Sequence, residues 1–243
     1  MKKSLILMLL LSFSFAQLLD KSEKELIPMK KLDNIATKQI DDSLISPTIF
    51  LNVGKSKFEW TGGLKFGVKK HTGKLRMLSG NIVLDNQKIS GDVVINMLSL
   101  TNSELSGSSS ERLVGHLRSA DFFNVENFPT AKLSIKNSKI LEKLEDGRYK
   151  MLLDGSMTVK GKTNPVSFES IINLDSDIKT AEGTLIFNRN DFGVQYRSEM
   201  HLDNPKSFWN QLQTTRDTAK DKVINEEIEI QFNVVSMPGM LSK

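Results

Sequence analysis

Between positions 115 and 135 the chain reads GHLRSADFFNVENFPTAKLSI, which sets His116, Arg118 and Asp121 close together. A histidine so placed has the chemistry of a general base, and an arginine beside it could hold an anionic head group. A second cation, Arg189, stands two residues before Asp191 in NRNDFG. Neither constellation has the company that catalysis requires. The chain has no cysteine, no G-x-S-x-G elbow and no H-E-x-x-H pair. Its three histidines, His71, His116 and His201, are far apart and lack metal-ligand spacing. The expectation is a protein that is not an enzyme and has no metal or cofactor. In it, His116, Arg118 and Arg189 are candidates for holding a polar head at a pocket mouth, with an ion pair to Asp191 or another carboxylate as the structural alternative for Arg189. Phe122, Phe123 and Phe128 read as plugs at the end of a sheet, and Pro129 as the start of a strand, where its missing donor does no harm.

Composition narrows the partners. Lys and Arg number 33 against 29 Asp and Glu, interspersed along the chain, so the concentrated basic face of a nucleic-acid binder is not expected. Lys2 and Lys3 precede an apolar run and then Ser14, Phe15 and Ala16, the pattern of a signal peptide over residues 1–16 cleaved near Ala16. The mature chain is therefore expected in the periplasm or secreted. No segment reaches the roughly 20 apolar residues of a membrane span, and without cysteine neither a lipid anchor nor a disulfide can form. Residues 17–46 read as a partly ordered arm, 47–236 as one domain, and 237–243 as a tail.

The elements that would position these residues are strands. From 148 to 160 one parity carries Tyr149, Met151, Leu153, Gly155, Met157 and Val159, and the other is mostly charged or hydroxylated. The same alternation recurs in Ala131, Leu133 and Ile135, in Val166, Phe168, Ile172 and Leu174, and in Ile228, Ile230, Phe232 and Val234. Strands are expected at 49–60, 63–69, 74–85, 88–100, 129–141, 148–160, 164–175, 180–188 and 223–235. A switch of parity near Gly80 predicts a bulge. Turns are expected at 85–87, 145–147 and 161–164. Alternation alone leaves open whether such a sheet folds as a sandwich or closes into a barrel.

Two helices interrupt the strands. Ser108 and Glu111 have capping-box spacing, with Leu113, Val114 and Leu117 on one face of a helix ending near Ser119. Asn204 and Pro205 then begin a second short helix carrying Phe208, Trp209 and Leu212.

Several blocks in order, SKFEW, HTG, LSGNIVLDNQKISGDVVINM, LVGHLRSADFFNVENFPTAKLSI, GSMTVKGKTNPVSF and AEGTLIFNRNDFGVQY, resemble the YceI-like family. The resemblance covers about residues 48–235. Asn96 stands where the family pattern has aspartate, and 200–222 is longer than usual. The resemblance implies an all-β fold, an eight-stranded antiparallel lipocalin-like barrel with one or two short helices at its openings. It also implies a polyisoprenoid or other long-chain lipid in the lumen. Trp60, Tyr149, Met151, Met157, Phe168, Phe187, Phe192 and Phe232 are the expected lumen lining, with plain core as the alternative for each and with Gly155 and Gly183 leaving space. The alternative is a ligand-free envelope barrel acting through protein contacts, a homodimer being one form of it.

Overall fold

The computed structural model describes residues 48–68, 70–199 and 222–238. The expected signal peptide, the arm, the helix after Pro205 and all but the first residues of the tail lie outside them. Among the described residues nine strands follow one another: β1 (Thr48–Phe50), β2 (Lys57–Gly63), β3 (Lys70–Asp85), β4 (Lys88–Asn96), β5 (Thr130–Lys143), β6 (Tyr149–Val159), β7 (Lys162–Asn173), β8 (Thr180–Asn188) and β9 (Glu227–Val235). Among the described residues there is one α-helix, α1 (Gly107–Arg118), between β4 and β5.

Strands β2 to β9 form a closed antiparallel barrel. Each neighbour in sequence pairs with the next, and β9 closes the ring on β2, with β1 added outside on β3. Closure removes the exposed sheet edges that an open sheet would carry. The alternation on β6 survives intact: Tyr149, Met151, Leu153, Met157 and Val159 are buried, and the residues between them are not. The barrel interior is therefore the dry face that period two marked out.

Hairpin chemistry sets the register. Asn86 and Gln87 both have positive φ and join Asp85 to Lys88 in a two-residue turn whose twist suits antiparallel strands. The next such turn falls at Lys160 and Gly161, so β7 begins at Lys162 rather than at 164 as expected. The bulge near Gly80 is present, as a register shift between Met77 and Ser79 that turns Leu78 outward.

Other expectations are corrected. The strand predicted at 49–60 is broken in two, because the Asn52 side chain accepts from the amides of Gly54 and Lys55 and folds the chain into a local turn. The strand predicted at 63–69 is a single bridge at Leu64 followed by a turn. Ser108 lies inside α1, whose N-cap is Ser106, and Ser106 makes no side-chain capping bond, so the expected capping box does not form.

Gly155 serves the backbone and leaves no room for a ligand. A Cβ there would fall 2.0 Å from the Ser134 carbonyl oxygen, so β5 and β6 approach closely only because the side chain is missing. At Gly183 the space is taken by the Phe232 ring, 2.9 Å from the position a Cβ would occupy. Gly155→Ala is expected to lower stability by about 1–3 kcal/mol or more through forced separation of the strands, read as a shift of the urea midpoint at constant slope.

Candidate functional site

Within the barrel lies a cavity of about 440 Å³. Every barrel strand supplies part of its wall: Phe58 and Trp60 from β2, Leu75 and Ile82 from β3, Val93 and Ile95 from β4, and Leu133 from β5. Leu153 and Met157 follow from β6, Phe168 from β7, Leu185 and Phe187 from β8, and Ile228, Ile230, Phe232 and Val234 from β9. These are the inward parities of the alternating strands, and among the described residues the wall includes no Asp or Glu. An apolar enclosure of this kind stabilises hydrocarbon by taking it out of water and offers nothing to neutralise a buried cation.

One end is closed by α1 and the loop after it. Leu117, Phe122, Val125 and Val194 form a buried cluster with Trp60, Met97 and Leu100. His116 meets the cavity here. Its ring makes edge-on contacts with Tyr196, at 4.6 Å between centroids, and with Phe122, at 5.4 Å. At the other end Tyr149, Met151 and Leu174 belong to a buried cluster, while the cavity wall continues past Ile172 to Lys179, Thr180 and Ala181.

Of the residues expected at the site, the structure brings Trp60, Met157, Phe168, Phe187, Phe232 and His116 to the cavity wall. It places five elsewhere. Met151 is 0 % exposed within the core, and Tyr149 sits beside it with Lys143 over its ring and its hydroxyl 3.4 Å from Asp175. Phe192 packs edge-on against Phe187, 5.4 Å away, in the one-turn helix that follows β8. Arg118 donates to the carbonyls of Leu98 and Leu100 at 2.7 and 2.8 Å, which fixes α1 to the turn after β4. Arg189 neither meets the cavity nor pairs with Asp191. It is 0 % exposed, and its guanidinium donates to the carbonyls of Asn225, Val194 and Ile224. Burial pushes its pKa down to about 10, opposed by the nearby Glu226 carboxylate, so it stays charged at neutral pH.

The expectation favoured aromatic and methionine side chains and passed over the aliphatic ones. Leu75, Ile82, Ile95, Leu133 and Ile230 carry much of the wall. Their signal was the same alternation, which marks every inward position whatever its size.

Two anchors position the wall near α1. The Trp60 indole donates to the Thr101 carbonyl at 2.9 Å. That contact needs Gly73 opposite it, because a Cβ there would lie 1.8 Å from the Thr101 oxygen and 2.5 Å from the indole nitrogen. Beside it, Glu104 clamps the start of β3. Its carboxylate accepts from the Thr72 amide at 3.0 Å and from Asn102 at 2.6 Å, and lies 2.5 Å from His71 Nδ1. Partial burial acts to raise its pKa, but the Thr72 amide, His71 and Asn102 outweigh it and hold the carboxyl at about 2, below its ordinary 4.5. A depressed carboxylate contributes stability above its unfolded pKa and loses it as pH falls through the folded one. The stability difference between the native chain and Glu104→Gln is therefore expected to be constant above about pH 5 and to vanish between about pH 4.5 and pH 2. Denaturant titrations across that window check it.

A closed eight-stranded barrel with a greasy interior and one helix across an end is now in view, and sequence comparison agrees with it. The profile of the YceI-like domain matches residues 31–236. The chain belongs to the YceI-like family. Among solved structures, this YceI-like chain is similar to Burkholderia cenocepacia BcnA, with TM-score 0.55 and 18% identity over 77% of this chain and 99% of that one. It is also similar to a polyisoprenoid binding domain from Saccharophagus degradans implicated in plant cell wall breakdown, with TM-score 0.51 and 15% identity over 78% and 98% of the two chains. At these identities the likeness shows the fold alone. No curated protein matches the chain. The YceI-like departure at Asn96 proves compatible with the fold: its side chain accepts from the Leu98 amide and caps the short turn after β4, which an aspartate could do equally.

Proposed function

We propose that this YceI-like protein is an exported, non-enzymatic carrier that holds a polyisoprenoid or similar long-chain amphiphile in its barrel. The observation that carries the reading is the apolar cavity, about 440 Å³ and walled by all eight barrel strands. Among the described residues no group of acidic or histidine side chains could hold a metal, and His116 faces aromatic rings rather than a nucleophile or a second base. The family is a binding fold. Its solved neighbour from Saccharophagus degradans is described as polyisoprenoid binding, which suggests the class of ligand.

The energetics favour a long tail. About ten buried methylene equivalents contribute about 8 kcal/mol at about 0.8 kcal/mol each, comparable with the association cost of about 4–15 kcal/mol, so short chains gain little and longer ones bind. Affinity should rise with chain length until the cavity is full. The signal-peptide pattern of residues 1–16 supports export to the periplasm or out of the cell. Among the described residues no helix is long and apolar enough to cross a membrane.

Native mass spectrometry of freshly purified protein tests the proposal. A co-purifying lipid mass is the expected result. A protein that stays empty after incubation with an envelope lipid extract would overturn it in favour of a barrel that works through its outer surface.

A further inference from the structure

The barrel wall is not equally sealed around its circumference. β7 pairs with β6 along its length, from Lys162 opposite Val159 to Ile172 opposite Tyr149. β8 pairs with β9 over its whole length as well. Between them, β7 and β8 pair only from Ser170–Gly183 to Asn173–Thr180. Continued in the same register, Phe168 would face Leu185 and Ser167 would face Ile186, and neither pair forms. The two strands separate beyond Gly183 and are tied again at the far end, where the Asn164 side chain donates to the Asp191 carbonyl at 3.1 Å. The result is a lens-shaped break in the ladder bordered by 165–169 and 184–188, closed by the packed side chains of Phe168 and Leu185.

The sequence accounts for it. Pro165 stands opposite Ser156 in a hairpin closed by two turn residues. The alternation of an antiparallel ladder directs the amide position at 165 away from β6 and toward β8, where proline has no hydrogen to donate. Gly183 marks the last close approach, with a Cβ position 2.8 Å from the Glu169 carbonyl oxygen. The borders are greasy. Phe168, Leu185 and Phe187 belong both to the gap and to the cavity wall, and Ile186 is 57% exposed on the outer side.

We infer that this gap between β7 and β8 is the portal through which an extended apolar chain enters and leaves the cavity. The inference rests on the carrier reading above. Among the described residues the α1 end is covered by Leu117 and Phe122, while at the other end the cavity wall reaches Lys179 and Thr180, the competing route that the test below separates from the gap. Widening the lens breaks no ladder hydrogen bonds, whereas separating any two fully paired strands breaks a row of them. Openings of low free energy are drawn from just such unpaired stretches.

A crosslink across the gap tests this in the full chain, which has no cysteine of its own. Ser167→Cys with Ile186→Cys places two thiols on facing borders, to be bridged by oxidation or by a short bis-maleimide. Geranylgeraniol is the probe, and the emission of Trp60 in the cavity wall, read with Trp209→Phe in every protein compared, is the readout. The bridged protein is expected to load and release geranylgeraniol at least about tenfold more slowly than the same protein with free thiols, at similar equilibrium affinity, as for a gate that is held shut. Equal rates in the two states would overturn the portal and leave the carrier reading standing. Failure of the free-thiol protein and the native chain to bind geranylgeraniol at any concentration would overturn both. Hydrogen exchange on the native chain gives a second reading without any substitution: the amides of Ser167 and Ile186, which the ladder alternation turns toward the gap, are expected to exchange faster than that of Leu153, and comparable protection would show the wall to be sealed there.

Discussion

Met157→Trp is expected to leave a folded barrel that no longer takes up a prenyl chain. Met157 lies near the C-terminal end of β6, between Leu133 on β5 and Asn164 on β7, and its side chain forms part of the cavity wall. An indole at this position projects into open volume, so it avoids most of the roughly 1–3 kcal/mol that overpacking costs in a filled core. The same ring occupies space that a ligand needs. Displacing about four methylene equivalents removes about 3 kcal/mol of binding, which lowers affinity for geranylgeraniol about a hundredfold or more. Isothermal titration calorimetry reads the affinity and thermal unfolding reads the fold. Unchanged affinity would show that Met157 does not border the ligand. Met151→Trp is the informative contrast: Met151 is 0 % exposed and away from the cavity, so the same change there should cost stability.

The second large effect concerns Arg189, whose role is architectural. Its three carbonyl acceptors lie on two separate stretches, Val194 on one and Ile224 and Asn225 on the other, and Phe122 lies 5.7 Å away under the guanidinium. One side chain thus joins the segment after β8 to the segment leading into β9 and to the plug beneath α1. Truncation to alanine leaves buried carbonyls without donors, at about 1–3 kcal/mol for each that water cannot reach. Arg189→Ala is expected to lose about 3 kcal/mol or more on that account, measured by urea unfolding. Arg189→Lys should recover only part of the loss, because an ammonium cannot present the planar fork that reaches carbonyls on two segments. A midpoint within error of the native chain in Arg189→Ala would refute this role.

The two methionines and the arginines show how much of the site could be read in advance. Met151 and Met157 share a parity on β6, and alternation correctly turns both inward. What separates them is position along the barrel: one lies where the interior is filled and the other where it is hollow. Alternation has a period but no measure of depth. Arg189 and Arg118 look alike as cations near aromatic residues, and both turn out to donate to backbone carbonyls. Apart from that of Val194, those carbonyls lie 18 or more residues away in sequence, so no local pattern announces them.

The amino-acid order by itself determined the all-β class, the inward face of each strand and most of the hairpins, because side-chain alternation and turn chemistry act over a few residues. It also carried the family, through several motifs in their proper order. Tertiary structure alone decided that β9 closes on β2, that the interior is hollow near Met157 and solid near Met151, and that β7 and β8 part beyond Gly183. Each of these depends on where strands distant in sequence come to lie, and on how much volume their side chains leave between them.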